Sequence, residues 1–255
     1  MHAPRPRPPS PASQALSGIR TALPLMIAMV PIGTVYGAVA VAKGLSVTEA
    51  LLMSGLVFAG GAQFVAMDMW THPASAAALG LAALLVNLRH VLMGASMAGK
   101  LGRFKPLQRL AAMPFLTDEA WALAERRARD GGRDPAASLT PAWYFGAALS
   151  IYATWLAATA TGALLGAAIG DPAALGLDFA FPAVFIVLVS GFCKGRGAGA
   201  VVLASAAAAL LVHWLLPGVW FILAGALAGL AAAALATDEA EGDTVSASIA
   251  AGDRA

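Results

Sequence analysis

The stretch Val86-Asn87-Leu88-Arg89-His90-Val91-Leu92-Met93-Gly94 sets an amide, a permanent cation and an imidazole in a row between apolar residues. No Asp, Glu, Lys or Arg occurs from Met69 to Leu88, nor from His90 to Gly99. Arg89 and His90 are therefore expected inside, or at the edge of, a membrane span. A charge at the centre of such a helix costs roughly 2.5–3.5 kcal/mol on insertion scales, and intramembrane ionisable groups mark functional sites by default. The competing reading is an arginine at a helix end reaching back to the headgroups. Asn87 weighs against it, because a neutral amide gains nothing from the interface that Ser or Lys would not supply.

Composition points the same way. The 255 residues are 59% hydrophobic and 12% charged, about half the charge of a soluble domain. With a mean hydropathy of +0.75 this describes an integral membrane protein. The apolar residues are mostly Ala, Leu, Val and Gly, which suits close-packed helices better than a barrel. The expected fold class is all-α, with about seven apolar segments, some of them discontinuous or re-entrant. One cysteine, Cys193, excludes an intrachain disulfide. No Cys/His spacing suits zinc, and no Walker or dinucleotide glycine loop occurs. ATP-driven chemistry, a metal and a cofactor are therefore not expected, and a net charge of +2 gives no reason to expect nucleic acid.

Residues 1–18, rich in Pro, Ser and Arg, read as a disordered leader, with no cleavage pattern of a signal peptide. The polytopic membrane domain is expected over 19–237, followed by an acidic tail at 238–255. Thr21 to Ala42 is long enough to span, but Pro24 and Pro31 are expected to interrupt it. Ser46 or Thr48 can cap the next helix, with Glu49 in its first turn. Phe58-Ala59-Gly60-Gly61-Ala62-Gln63-Phe64 has adjacent glycines and a Gln at membrane depth, the pattern of a broken transporter helix. Close helix packing would also explain the glycines.

After Gly99 the cations arrive. Eight of the 16 Lys and Arg residues lie between Lys100 and Arg133, so the connection at about 100–139 is expected in the cytoplasm. Within it, Thr117 can cap a helix opened by Asp118 and Glu119. That role would explain both acids, as would gating or a proton relay. Pro141 to Gly170 is uncharged and begins with the belt residues Trp143 and Tyr144. Phe179 to Cys193 is short and broken by Pro182, another pointer to a discontinuous helix. Pro217-Gly218 divides the last apolar stretch into two spans, with His213 just before the break, where packing is the usual role.

Two features stand apart. Three crossings from a cytoplasmic N-terminus, as Arg5, Arg7 and Arg20 imply, would put the basic connection outside. Either the N-terminus is outside or one early segment does not cross, and the Gly60-Gly61 segment is the natural re-entrant candidate. There is also a faint internal echo, a candidate repeat, between Gly33-x-x-x-Gly37 and Gly162-x-x-x-Gly166.

The chain resembles the AzlC-like branched-chain amino acid permease family, the large subunit of two-component exporters. The resemblance is carried by Pro31-x-Gly33-x-x-x-Gly37, Phe58-Ala59-Gly60-Gly61-Ala62-Gln63-Phe64, Asn87-Leu88-Arg89-His90-x-Leu92-Met93-Gly94 and Thr117-Asp118-Glu119. It implies a secondary transporter in the cell inner membrane that exports leucine, isoleucine, valine or related residues, driven by protons. It also implies a small AzlD-like membrane partner. A zwitterionic substrate needs an anion site, a cation site and an apolar pocket. Helix ends at Gly60 and Gly61, the amides of Gln63 and Asn87, and Arg89 as a carboxylate clamp are the expected binding groups. Histidine is the side-chain type suited to exchanging a proton, so His90 is the expected coupling group, with Asp118 and Glu119 behind it if their helix folds back into the membrane. Phe58 and Phe64 are expected to line the pocket.

Two other readings are open. A channel or structural subunit fits the same segments. An intramembrane serine protease similar to rhomboids would use Ser96 in Gly94-Ala95-Ser96-Met97 with His90 or His213 as base. Met97 stands where that motif needs Gly, and Ser96 also reads as a small packing residue.

Overall fold

A computed structural model describes residues 10–71, 73–130, 138–169, 186, 196–216 and 220–235. Among them all regular structure is helical: α1 (Pro11–Ala42), α2 (Val47–Val57), α3 (Gly60–Asp68), α4 (Ala76–Asn87), α5 (Arg89–Ala98), α6 (Pro106–Ala112), a 3-10 turn (Met113–Phe115), α7 (Asp118–Asp130), α8 (Pro141–Ile169), α9 (Arg196–Leu215) and α10 (Trp220–Leu235). Four stretches are long and apolar enough to span: α1, α4 with α5, most of α8, and α9. The chain is a multi-pass membrane protein. It divides into two compact units, residues 1–74 with 86–181, and residues 75–85 with 182–255.

The first unit is built on α1 and α8. Ser10 caps α1 through its side chain and Pro11 opens it, so the helix begins inside the expected leader. Pro24 and Pro31 lie within it without ending it. A proline removes a backbone bond, and inside a membrane a close neighbour can brace the gap. Here α8 lies along the whole length. A methyl group on Gly162 would overlap the Thr34 carbonyl, one on Gly37 the Thr159 carbonyl, and one on Gly18 the Trp143 carbonyl. Gly166 faces Ala38, and Gly146 faces Ala15. Contacting positions rise together on both helices, so the two run parallel. The echoed glycine pairs pack against each other's helix, because only Gly lets backbones approach so closely. Leu23, Ile27 and Val30 on the other side of α1 stay exposed, as a lipid-facing surface should.

The next segment turns back on itself. Ser46 and Glu49 form a capping box at the start of α2. Going down α2, Ser54 bonds Thr159 at 2.9 Å and Phe58 meets Tyr152 at 4.8 Å, so α2 runs antiparallel to α8. Phe58 then adopts a left-handed conformation with φ 42°. On the return, Gly60 lies on the Trp155 ring, Gln63 reaches Trp155, and Phe64 packs on Tyr36. Gln63 Nε2 also donates to Ser54 Oγ at 3.0 Å, across the turn. That bond requires the two arms to lie side by side. Thus α2 and α3 fold back on each other as a helical hairpin. The break falls at Phe58-Ala59, two residues before the expected glycine pair. Gly60 instead admits the Trp155 ring.

Among the described residues one span-length element, α4 with α5, follows α1 and precedes α8 in the chain.

The basic connection packs on the end of α5 and the start of α8. Met97, Leu101, Phe104, Ala124, Trp143 and Tyr144 share one core. The Tyr144 hydroxyl donates to the Ala112 carbonyl at 3.1 Å. Arg109 Nε donates to the Leu101 and Phe104 carbonyls. Lys100 Nζ meets Glu125 at 2.5 Å, and Trp121 Nε1 donates to Ser96 Oγ at 2.7 Å.

In the second unit, Gly225 of α10 meets Ser205 and Ala209 of α9, and Gly229 meets Ser205 and Val201, so the two helices are antiparallel. The His213 ring stacks edge-on against Phe221 at 5.3 Å, a packing role. The expected segment Phe179 to Cys193 with Pro182, the Pro217-Gly218 break, residues 1–9 of the leader and the acidic tail lie outside the described residues.

Candidate substrate site

α4 ends at Asn87 and α5 starts at Arg89, with Leu88 between them still in helical conformation (φ −54°, ψ −29°), so the Asn87-Leu88-Arg89-His90 motif sits at a one-residue irregularity within one span-length stretch, Ala76–Ala98. The Asn87 carbonyl lies 3.2 Å from His90 Nδ1.

Three separate pieces of sequence converge here. A cleft of about 250 Å³ is lined by Phe58 and Ala59 from the hairpin tip, Asn87 and His90 from the α4–α5 junction, and Pro114 and Leu116 from the turn ahead of α7. Phe115 in that turn contacts both Phe58 and Tyr152. The cleft is open, and its lining is mixed, with polar surface as extensive as apolar surface.

Arg89 Nη1 meets Asp118 Oδ2 at 2.6 Å. Thr117 caps α7, with the Ala120 amide donating to its hydroxyl at 3.3 Å, so Asp118 sits in the first turn of that helix. Capping and pairing with Arg89 are thus both roles of the Thr117-Asp118-Glu119 motif. Burial pushes the Glu119 carboxyl up from its usual range, against the opposing pull of Thr117 and Arg89. Two polar atoms at the junction, Asn87 Oδ1 and Arg89 Nε, are buried with no hydrogen-bond partner. A buried donor or acceptor without a partner calls for an explanation.

Of the expected binding groups, Asn87 lines the cleft and Arg89 does not, its partly exposed side chain being paired with Asp118. Gly60 faces Trp155, and Gly61 is half-buried in the first turn of α3. Gln63 is fully buried, its oxygen accepting from Trp155 Nε1 at 3.2 Å and its nitrogen donating to Ser54. Phe64 is buried against Tyr36 and does not line the cleft, whereas Phe58 does. Of the expected coupling groups, His90 lines the cleft, and Asp118 and Glu119 lie at Arg89. Sequence reasoning missed Pro114 and Leu116. An apolar run interrupting a basic connection was the available signal. It also missed the partners of Gln63, because Ser54 lies nine residues back across a turn and Trp155 is remote in the chain.

A family model described as AzlC protein matches residues 24–169, which hold the hairpin, the α4–α5 motif and α8. The chain belongs to the AzlC family. It is 29% identical over 190 residues to the inner membrane protein YgaZ of Escherichia coli, covering 73% of this chain and 76% of the relative. It is 28% identical over 184 residues to the branched-chain amino acid transport protein AzlC of Bacillus subtilis, covering 69% and 68%. An uncharacterized membrane protein of Archaeoglobus fulgidus is 30% identical over 215 residues, covering 83% and 90%. No solved structure matches.

Membership of the AzlC family supports a membrane transport role. A serine nucleophile needs a base within hydrogen-bond reach. Ser96 instead donates to the Met93 carbonyl at 2.9 Å and accepts from Trp121, so it ties α5 to α7.

Proposed function

We propose that this AzlC-family protein exports branched-chain or related amino acids across the inner membrane. The observation that carries the reading is the pair of unpartnered buried atoms where α4 meets α5, Asn87 Oδ1 and Arg89 Nε, with Asn87 lining a small cleft of mixed polar and apolar character. An α-amino acid brings a carboxylate for the donor, an ammonium for the acceptor and an aliphatic side chain for the cleft. The printed name of the Bacillus relative supports the same substrate class. Arg89 takes the carboxylate, Asn87 the ammonium, and Phe58 with Leu116 the side chain. Gly60, Gly61 and Gln63 act from behind, setting the hairpin tip against the cleft. His90 carries the coupling proton, with Glu119 and Asp118 as the acidic groups next to the clamp. A small AzlD-like membrane subunit completes the transporter.

The test is efflux from cells loaded with a leucine- or valine-containing dipeptide, expressing this chain with and without its small partner. Faster release of the amino acid, saturable and only with both chains, supports the reading. Unchanged release with both chains present overturns it.

A further inference from the structure

We infer that Asp118 is a positioning residue for the substrate's carboxylate: it holds Arg89 by Nη1 and turns the opposite edge of the guanidinium toward the site. This rests on the amino-acid reading above. A guanidinium has two forks. Nη1 lies on the side of Cδ, while Nε–H and Nη2 together form the side-on edge that accepts a carboxylate bidentately. Asp118 Oδ2 meets Nη1 at 2.6 Å, and Nε is buried with no partner. The occupied atom and the unfilled atom thus lie on different edges of one planar group. Asp118 and the substrate carboxylate do not compete for the same hydrogen bonds. An arginine without Asp118 would swing among its rotamers and lose the edge it presents.

The position of Asp118 has its own support. Thr117 caps α7, and the Lys100–Glu125 pair with the Trp121–Ser96 bond ties α7 to α5, the helix that Arg89 opens. The carboxylate is therefore delivered to Arg89 by a braced helix and not by a free side chain on a loop.

The experiment uses inside-out membrane vesicles containing the chain and its small partner subunit, with labelled leucine as substrate. Competitors are leucinamide, which lacks the carboxylate, and 4-methylpentanoate, which lacks the ammonium. Asp118→Ala is expected to raise KM for leucine about tenfold while changing kcat little, and to erase the preference for leucine over leucinamide. Asp118→Glu is expected to restore part of both. Asp118→Asn keeps the shape, and serves if the alanine variant does not fold. A KM that falls in the variants would show that Asp118 competes with substrate, and would overturn the inference. A KM and a leucine-to-leucinamide preference equal to wild type would overturn it as well. Saturable wild-type uptake with either of these results leaves the amino-acid reading standing. Absence of saturable uptake by wild type overturns both.

Discussion

On α7, Glu119 and Glu125 lie six residues apart, and their carboxyl groups are pushed in opposite directions. Burial dominates at Glu119 and raises it. At Glu125 burial is also the largest influence, but Lys100 at 2.5 Å and Ser96 together outweigh it, and the group is held low. The pH signs therefore differ. A raised carboxyl favours the protonated folded state, so the contribution of Glu119 is full below the unfolded carboxylate range near pH ~4.3 and is lost as pH rises through its folded value. Glu119→Gln should thus raise the thermal midpoint in detergent at pH 7, with the gain vanishing near pH 4. The contribution of Glu125 is present above the ordinary carboxylate range and is lost as pH falls through its folded value. Glu125→Gln should cost on the order of 2 kcal/mol at pH 7, since a partly buried charged bond is lost and Lys100 is left without its partner. Urea titration at two pH values reads both effects. For transport, His90→Ala should flatten the dependence of leucine flux on pH. A profile like wild type would remove His90 as the coupling group.

The parallel α1–α8 pair depends on glycines that the sequence shows only as a weak echo. Glycine is common in membrane helices, so two matching pairs say little until the backbones are seen in contact. Substituting Gly162 by Ala should then cost about 3 kcal/mol, the upper end of overpacking, because the methyl would overlap the Thr34 carbonyl and neither helix can move away alone. Gly94→Ala is the control. No atom lies within 4 Å of a methyl there, and stability should stay within about 1 kcal/mol of wild type. Thermal unfolding of both variants in detergent separates the two outcomes. The helix starts at Ser46 and Thr117 were legible because capping is local: donor and acceptor lie within one turn. The hinge at Phe58 was not, because a left-handed aromatic residue has no local reason to exist. Its ring is held by Tyr152 and Phe115, both remote in sequence.

For the whole chain, the hairpin predicts a labelling pattern. With Cys193 replaced by Ser, single cysteines at Thr48 and Thr71 flank the hairpin, and one at Arg103 lies in the basic connection. A membrane-impermeant maleimide should label positions 48 and 71 in intact spheroplasts, and position 103 only after the membrane is opened. Labelling of 71 only in opened membranes would mean that α2 and α3 cross instead of turning back.

Hydropathy and charge in the sequence were enough to establish a helical membrane protein and the motifs worth following. Those are properties of composition and near neighbours, and a bilayer rewards them whatever the tertiary arrangement. The resemblance of four motifs to one family was likewise readable, and the family match supports it. Only the tertiary structure decided that α1 and α8 run parallel, and that the Gly60-Gly61 segment folds back. It alone gave Gln63 the partners Ser54 and Trp155, and paired Arg89 with Asp118. Each depends on contacts between residues about nine to 130 positions apart. Inside a membrane a polar side chain must find a partner somewhere, but its own sequence neighbourhood does not say which.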